Sequence, residues 1–407
     1  MEDWITAKNS SSNGQKVNVP KLRFPGFEGE YVEFRIGEIY AERNERGEPE
    51  KELLSVTQND GVVPRSEIDG KNNASEDRSN YKVVRIGDMV YNSMRMWQGA
   101  NGISSLDGIV SPAYTVLCPR TEIVNGYFAV LFKTPGLINE FRKNSQGLTS
   151  DTWNLKYPQI SRIRVYIPSV QEQRKIAELL SRLDARIEAQ HQLVESLKKY
   201  KRGVVRTLLT PDFCKFRDVK WTSAKIGDLG RFIKGAPLSK ADISDEGTPF
   251  ILYGELYTTY NEVITQIVRK TRSNVEHQYF SKIGDVIIPT SGETPEEIST
   301  ASCVMIPDVI LAGDLNIFRC SKVDGRIISY ILNHVVNGDI ARIAQGKSVV
   351  HVQASEIAKI EIAYPDAESQ VKMMAIFDAI NTRIDQCSKE FELLRNQRKA
   401  LLQQLFI

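Results

Sequence analysis

The sequence predicts an α+β chain in which two globular domains alternate with two long antiparallel coiled-coil helices, the halves related by pseudo-two-fold symmetry. Three observations predict it. A pattern recurs after about 197 residues, each copy changes from strand-like to heptad spacing, and a proline stands at the same place before each heptad run. In the first copy Gln146-Gly147 leads to Ile167-Pro168, Gln173 and a run ending Thr207-Leu208-Leu209. In the second, Gln345-Gly346 leads to Tyr364-Pro365, Gln370 and a run ending Gln404-Leu405-Phe406. A repeat this long exceeds a solenoid unit of ~20–50 residues, so each copy is a domain plus a helix.

Residues 1–19 read as a mobile tail: one early Trp, then mostly Asn, Ser, Gly and Gln, without the cationic start and apolar core of a signal peptide. Residues 20–168 form the first globular region. Short β-branched or aromatic runs such as Tyr81-Lys82-Val83-Val84, Asp88-Met89-Val90-Tyr91 and Tyr114-Thr115-Val116-Leu117 are punctuated by Gly, Asn, Asp and Pro. Gly126–Phe132 and Pro135–Lys143 read as short helices.

Residues 169–210 change character. Ile176, Leu180, Leu183, Ile187, Val194, Leu197, Val204 and Leu208 recur at alternating gaps of four and three, with Gln190 and Lys201 in the two missing places. That is a coiled-coil seam. Residues 211–365 repeat the α+β character, and residues 366–407 repeat the seam. It runs Met373, Phe377, Ile380, Ile384, Cys387, Phe391, Leu394, Arg398, Leu401 and Leu405. Even the polar interruption recurs, Lys201 as Arg398. Pro168 and Pro365 suit a helix start, where a missing N–H costs nothing. At ~1.5 Å per residue, roughly 38 helical residues make a rod of about 57 Å. Such a rod spans between one and two turns of duplex DNA at ~34 Å per turn.

Inside the globular regions Lys282-Ile283-Gly284-Asp285-Val286 matches Arg85-Ile86-Gly87-Asp88-Met89, and Ile226-Gly227-Asp228 matches Ile36-Gly37-Glu38 at a shorter offset. Elsewhere the halves diverge: Tyr91–Trp97 has no likeness to Ile288–Thr294. A shared scaffold with different loops suits two readers of two different sequences.

Composition is that of an ordinary soluble chain, 41% hydrophobic and 26% charged, with a net charge of +2 that neither demands nor excludes nucleic acid. No apolar stretch is long enough for a bilayer. Five cysteines without CxxC spacing point to reduced thiols and a cytoplasmic setting.

Pro20-Lys21-Leu22-Arg23-Phe24-Pro25-Gly26-Phe27, the Ile-Gly-Asp/Glu turns, and Gln171-Glu172-Gln173 before Ile176-Ala177 resemble the specificity subunit of type I restriction–modification systems. The resemblance covers the chain beyond its tail in the order domain, helix, domain, helix. The second helix start, Ala367-Glu368-Ser369-Gln370, follows the pattern less closely. The resemblance implies that each globular region is a target recognition domain reading one half of a bipartite, asymmetric double-stranded DNA target. The paired helices would fix the unread spacer and, with adjoining surfaces, hold two modification (methyltransferase) subunits. Those carry S-adenosylmethionine and methylate adenine. Restriction (endonuclease/translocase) subunits using ATP and Mg can join. This chain itself would bind no cofactor and no metal.

Catalytic motifs are missing, as that implies. No Asp/Asn-Pro-Pro-Tyr/Phe motif of an adenine methyltransferase occurs. The four histidines, His191, His277, His334 and His351, form no HExxH motif and no Cys/His cluster. Ala341–Ser348 resembles a loose phosphate loop, but a helix is expected before it and an extended segment after it, the reverse of the working order. Pro307-Asp308 with Asp314 lacks the lysine of a nuclease site. The competing reading is a non-enzymatic coiled-coil adaptor without DNA contact.

Base edges are read by Arg, Lys, Asn, Gln, Ser and Thr, and phosphates are held by Lys, Arg and hydroxyls. In the first domain the candidates are Thr57, Gln58, Asn59, Arg78, Ser79, Asn80, Tyr81, Ser93, Arg95, Trp97 and Gln98; Met94 and Met96 flank them, and core packing competes for both and for Trp97. In the second they are Lys234, Lys240, Tyr253, Arg269, Lys270, Thr290 and Ser291. Arg85 and Lys282, beside the shared turns, suit a structural or phosphate role.

Overall fold

The computed structural model describes residues 18–58, 60–69, 74–75, 77–149, 152–346 and 349–407. Residues 1–17 of the expected tail, the candidate Asn59, and Lys347 and Ser348 of the phosphate-loop lookalike lie outside them.

The chain divides into two compact units, and the division falls inside the long helices. Unit 1 runs to His191 and includes Glu390–Ile407; unit 2 is Gln192–Lys389. Each long helix is therefore divided between the two units. The reason is packing: Ile176, Leu180, Leu405 and Phe406 lie in the core of unit 1. Val205, Leu208, Leu209, Met373, Met374 and Phe377 lie in the core of unit 2.

The first long helix spans Val170–Leu208 and the second Ala367–Leu405, 39 residues each. Every expected seam position on both is buried or half-buried, while most of their neighbours are exposed. Heptad spacing thus decided which stripe turns inward. In unit 1 Asp184 meets Arg398 and His191 stacks near Phe391, ring centroids 5.3 Å apart, so the two segments run antiparallel.

Unit 1 holds a four-stranded antiparallel sheet in the order Tyr40–Glu42, Tyr114–Pro119, Met89–Asn92, Asn101–Ile103. A hairpin, Leu54–Val56 with Val62–Pro64, and the pair Lys82–Val84 with Gly108–Val110 complete its β structure, beside the antiparallel pair Val32–Arg35 and Arg164–Ile167. The short helices run Asn125–Leu131 and Pro135–Asn144, close to expectation.

Unit 2 holds a five-stranded sheet: Gly230–Lys234, Leu315–Cys320, Asp285–Pro289, Ser302–Val304 and Val263–Ile264. A second sheet has three strands, Arg269–Thr271, Thr248–Leu252 and Ile310–Ala312. Helices Gly325–His334 and Asn337–Ile343 precede the strand Val350–His351, so the lookalike phosphate loop does have the inverted order.

The repeat extends to single hydrogen bonds. Ile36 and Gly37 donate to the Ile163 and Ser161 carbonyls, and Ile226 and Gly227 donate to those of Ile360 and Ala358, all at 2.9–3.0 Å. Both glycines sit in close quarters: a Cβ at Gly37 would lie 2.9 Å from the Ser161 Cβ and displace it, and one at Gly227 would crowd the Ala358 Cβ at 3.1 Å. Each long helix also begins with a buried glutamine that bridges two backbones. Gln173 Nε2 donates to the Pro168 carbonyl (3.0 Å) and its Oε1 accepts from Val124 N (3.1 Å). Gln370 does the same with Pro365 (2.7 Å) and Asp324 N (3.0 Å). Both accepted N–H groups stand just before a helix, where backbone donors lack intrahelical partners.

Candidate nucleic-acid interface

In unit 1 the strand Met89–Asn92 ends in a tight turn that displays side chains by fixing its backbone. Asn92 Oδ1 accepts from Met94 N (3.0 Å), and Gly99 closes the 3-10 turn Met96–Gln98 by donating to the Met96 carbonyl (2.9 Å). Met96 is thereby driven into the core, as its apolar side chain favours, and Met94 and Arg95 are left exposed. Trp97 is half-buried; its Nε1 donates to the Met94 carbonyl (3.0 Å) and its ring meets Trp153 edge-on, centroids 5.3 Å apart. Arg95 lies alongside Gln98, 3.5 Å from its Oε1.

The hairpin turn after Val56 is closed by Thr57 N donating to Gly61 O (2.8 Å) and by Thr57 Oγ1 accepting from Asp60 N (2.8 Å). Gln58 is exposed at its tip, and its carbonyl accepts from Lys133 Nζ (3.2 Å). Burial, then the positive charge of Arg398, holds the Lys133 ammonium below its ordinary pKa.

In unit 2 several candidates gather around the turn between Ala312 and Leu315. Gly235, directly after Lys234, donates to the Leu315 carbonyl (2.9 Å), and Thr290 N donates to Asp314 O (2.8 Å). A Cβ at Gly313 would lie 3.5 Å from the Tyr253 ring. Lys234 is exposed; Tyr253 and Thr290 are half-buried. Four residues after Lys240, Ser244 N donates to the Lys270 carbonyl (2.8 Å); Lys240 and Lys270 are both exposed.

A family model for the "Type I restriction modification DNA specificity domain" matches residues 28–199 and again 218–393. The chain belongs to that family. The type I specificity subunit MjaVIII of Methanocaldococcus jannaschii is 20% identical over 341 residues, covering 75% of this chain and 76% of that one. The MjaX specificity subunit of the same organism is 21% identical over 356 residues, covering 80% and 79%. The fold resembles that of the type I S subunit from M. genitalium, with a TM-score of 0.58 at 15% identity over 95% of this chain and 99% of that one. A chain solved in work on complex assembly and conformational transition of the type I R-M system gives the same TM-score, 0.58, at 15% identity, covering 92% and 97%.

As a type I specificity subunit the protein serves a multi-subunit DNA-binding complex through two target recognition domains, which displaces the adaptor reading. Three candidates of the specificity subunit need correction. Tyr81 is buried, its hydroxyl accepting from Ser75 N (3.1 Å), so its ring cannot reach a base. Ser93 is buried with its Oγ on Thr115 Oγ1 (2.8 Å), and Ser291 is buried with its Oγ donating to Asp314 Oδ2 (3.0 Å). Arg269 is exposed and pairs through Nε with the buried Glu255 (2.7 Å).

Arg78, Ser79 and Asn80 occupy another neighbourhood. Asn80 accepts from Arg46 through its carbonyl (2.8 Å) and its side chain, and Arg78 lines a depression of about 430 Å³ with Glu50, Glu52 and Arg65. Arg85, expected in a structural or phosphate role, pairs with Glu45 and Glu48, both at 2.8 Å. Sequence reasoning missed Lys133 and Trp153, because nothing local marks a lysine or tryptophan that a distant loop will meet. No helix among the described residues is long and apolar enough to cross a membrane.

Proposed function

We propose that this subunit is the non-catalytic reader of its complex, each unit contacting one half of a bipartite, asymmetric duplex target. Gln58, Arg95, Trp97 and Gln98 would act in unit 1, and Lys234, Lys240, Lys270 and Thr290 in unit 2; they are of the types that reach base edges and phosphates. The long helices set the number of unread base pairs and, with adjoining surfaces, hold two modification subunits. S-adenosylmethionine belongs to those subunits, and ATP and Mg to a restriction subunit where one joins. The complex works in the cytoplasm.

One observation supports this reading above the rest: a frame repeated to individual hydrogen bonds carries exposed loops that differ between the units. Partners that are alike need the shared frame, and unlike half-sites need the unlike loops. The test is selection of bound duplexes from a randomised library by the purified complex. Two fixed sequence blocks at a constant gap are expected, with log affinity falling linearly in log salt by ~0.9 per phosphate neutralised. A single block, or binding without any motif, overturns the reading.

A further inference from the structure

Both units carry an irregular loop built on the repeated Gln-Gly pair. Gln146 and Asn154 exchange backbone hydrogen bonds at 3.0 and 2.8 Å, and Gln345 and His351 do so at 3.0 and 2.8 Å. The glycine that follows each glutamine has positive φ, 153° at Gly147 and 134° at Gly346. A Cβ at Gly147 would lie 2.6 Å from the Thr152 carbonyl oxygen, and one at Gly346 would overlap that of Val349. Backbone therefore sets this frame, leaving the side chains it displays free to differ.

Each loop is fastened to the turn that follows the central strand of its unit. Leu155 N donates to the Ser93 carbonyl (2.8 Å) and Trp153 meets Trp97. Val352 N donates to the Thr290 carbonyl (3.0 Å), and Ser291–Gly292 pairs with Val350–His351. The Gln-Gly loops thus border the candidate readers Arg95, Gln98 and Thr290. Gln146, Gln345 and His351 are exposed and Trp153 is half-buried. In sequence each loop carries one charged residue, Asp151 in the first and Lys347 in the second; the other residues from Gln146 to Asn154 and from Gln345 to His351 are uncharged or neutral polar types. Uncharged donors, acceptors and rings suit base edges; phosphates attract cations.

We infer that Gln146 and Trp153 of the first loop and Gln345 and His351 of the second read bases. Gln146 and Gln345, the same amide on the same frame, make the contact common to the two half-sites. Trp153 and His351 make contacts by which the half-sites differ. An amide presents a donor and an acceptor together, the pattern that matches adenine in the major groove. An aromatic ring offers apolar contact to a thymine methyl, and an imidazole offers a single donor or acceptor.

The inference rests on the reading of each unit as one half-site reader, and the test separates the two. The complex containing full-length chain, wild type or with Gln146→Ala, Gln345→Ala, Trp153→Ala or His351→Ala, selects duplexes from a randomised library. Gln146→Ala and Trp153→Ala are expected to degrade one block only, and Gln345→Ala and His351→Ala the other only. The loss in discrimination at the affected position should be ~10- to 100-fold. Gln146 and Gln345 are exposed, so these two variants keep the fold and carry the decision should Trp153→Ala destabilise unit 1. Wild-type motifs from both glutamine variants, or equal damage to both blocks, overturn the inference while the half-site reading stands. A wild-type complex that selects no two-block motif overturns that reading itself.

Discussion

The same seam position is solved in opposite ways in the two units. Lys201 and Arg398 are the matching polar interruptions of the two heptad runs, and both stay close to the buried stripe. In unit 1 Arg398 reaches across to Asp184 of the other helix, Nη2 to Oδ2 at 3.1 Å, and both side chains keep a third or more of their surface exposed. In unit 2 Lys201 turns toward its globular domain, donating to Glu262 Oε2 (2.6 Å) and lying over the Tyr330 ring (5.6 Å). Glu262 also meets His334 Nε2 (2.6 Å), and Asn381 donates to the Tyr330 hydroxyl (2.7 Å). One unit joins helix to helix; the other joins helix to domain. A cation in a seam thus dictates only that some anion must come to it.

The contrast is broken most severely at Glu262. Burial alone would raise its carboxyl, but the His334 and Lys201 contacts outweigh that and hold it at about 2. Glu262→Gln should destabilise unit 2 by ~3–5 kcal/mol, because it leaves Lys201 buried without its counter-charge. Denaturant unfolding of the purified chain measures this, and a change below 1 kcal/mol would mean the network is solvated. The pH dependence has a fixed sign. A depressed carboxylate stabilises fully above its unfolded pKa, near 4.5, and that contribution disappears as pH falls toward 2. The difference between wild type and Glu262→Gln should therefore shrink across that window.

Next in size is the glutamine bridge, where the units agree. Gln173→Leu and Gln370→Leu each leave a proline carbonyl and a helix-start N–H without the amide between them. A cost of ~1–3 kcal/mol is expected for either. Equal losses would show the repeat is energetic as well as geometric; thermal unfolding of each variant decides it.

Arg95→Ala tests the proposed difference between the candidate loops of the two units. Duplex binding should weaken by ~1–3 kcal/mol at one half-site only, with assembly unchanged. Competition with duplexes altered in one half at a time is the readout, and uniform weakening would make Arg95 a phosphate contact instead. The smallest effect belongs to Asp184→Asn. Its half-exposed pair with Arg398 should contribute no more than ~1 kcal/mol, less at high salt. A loss as large as that of Glu262→Gln would erase the contrast between the two seam positions.

Much of this fold was legible because its signals are local. A spacing of four and three places Ile176, Leu180, Phe377 and Leu394 on one stripe whatever they meet, and each is buried. The Ile-Gly-Asp turns were legible for the same reason. The recognition surface was less so. Ser93, Ser291 and Tyr81 have the right chemistry for a reader, yet Thr115, Asp314 and the Ser75 backbone take up their polar atoms. Residue type cannot reveal a partner that long-range strand pairing delivers. The Gln-Gly pair was plain in the sequence as a repeat, but its place beside the strand-end turns was not.

By itself the sequence determined the duplication, the helical stripes and the glycines, since each follows from spacing and backbone sterics within a few residues. Tertiary structure alone decided which anion answers each seam cation, which polar candidates are consumed inside, and which loops stand together. Those outcomes depend on contacts between segments tens of residues apart, where energy depends on position rather than on residue type.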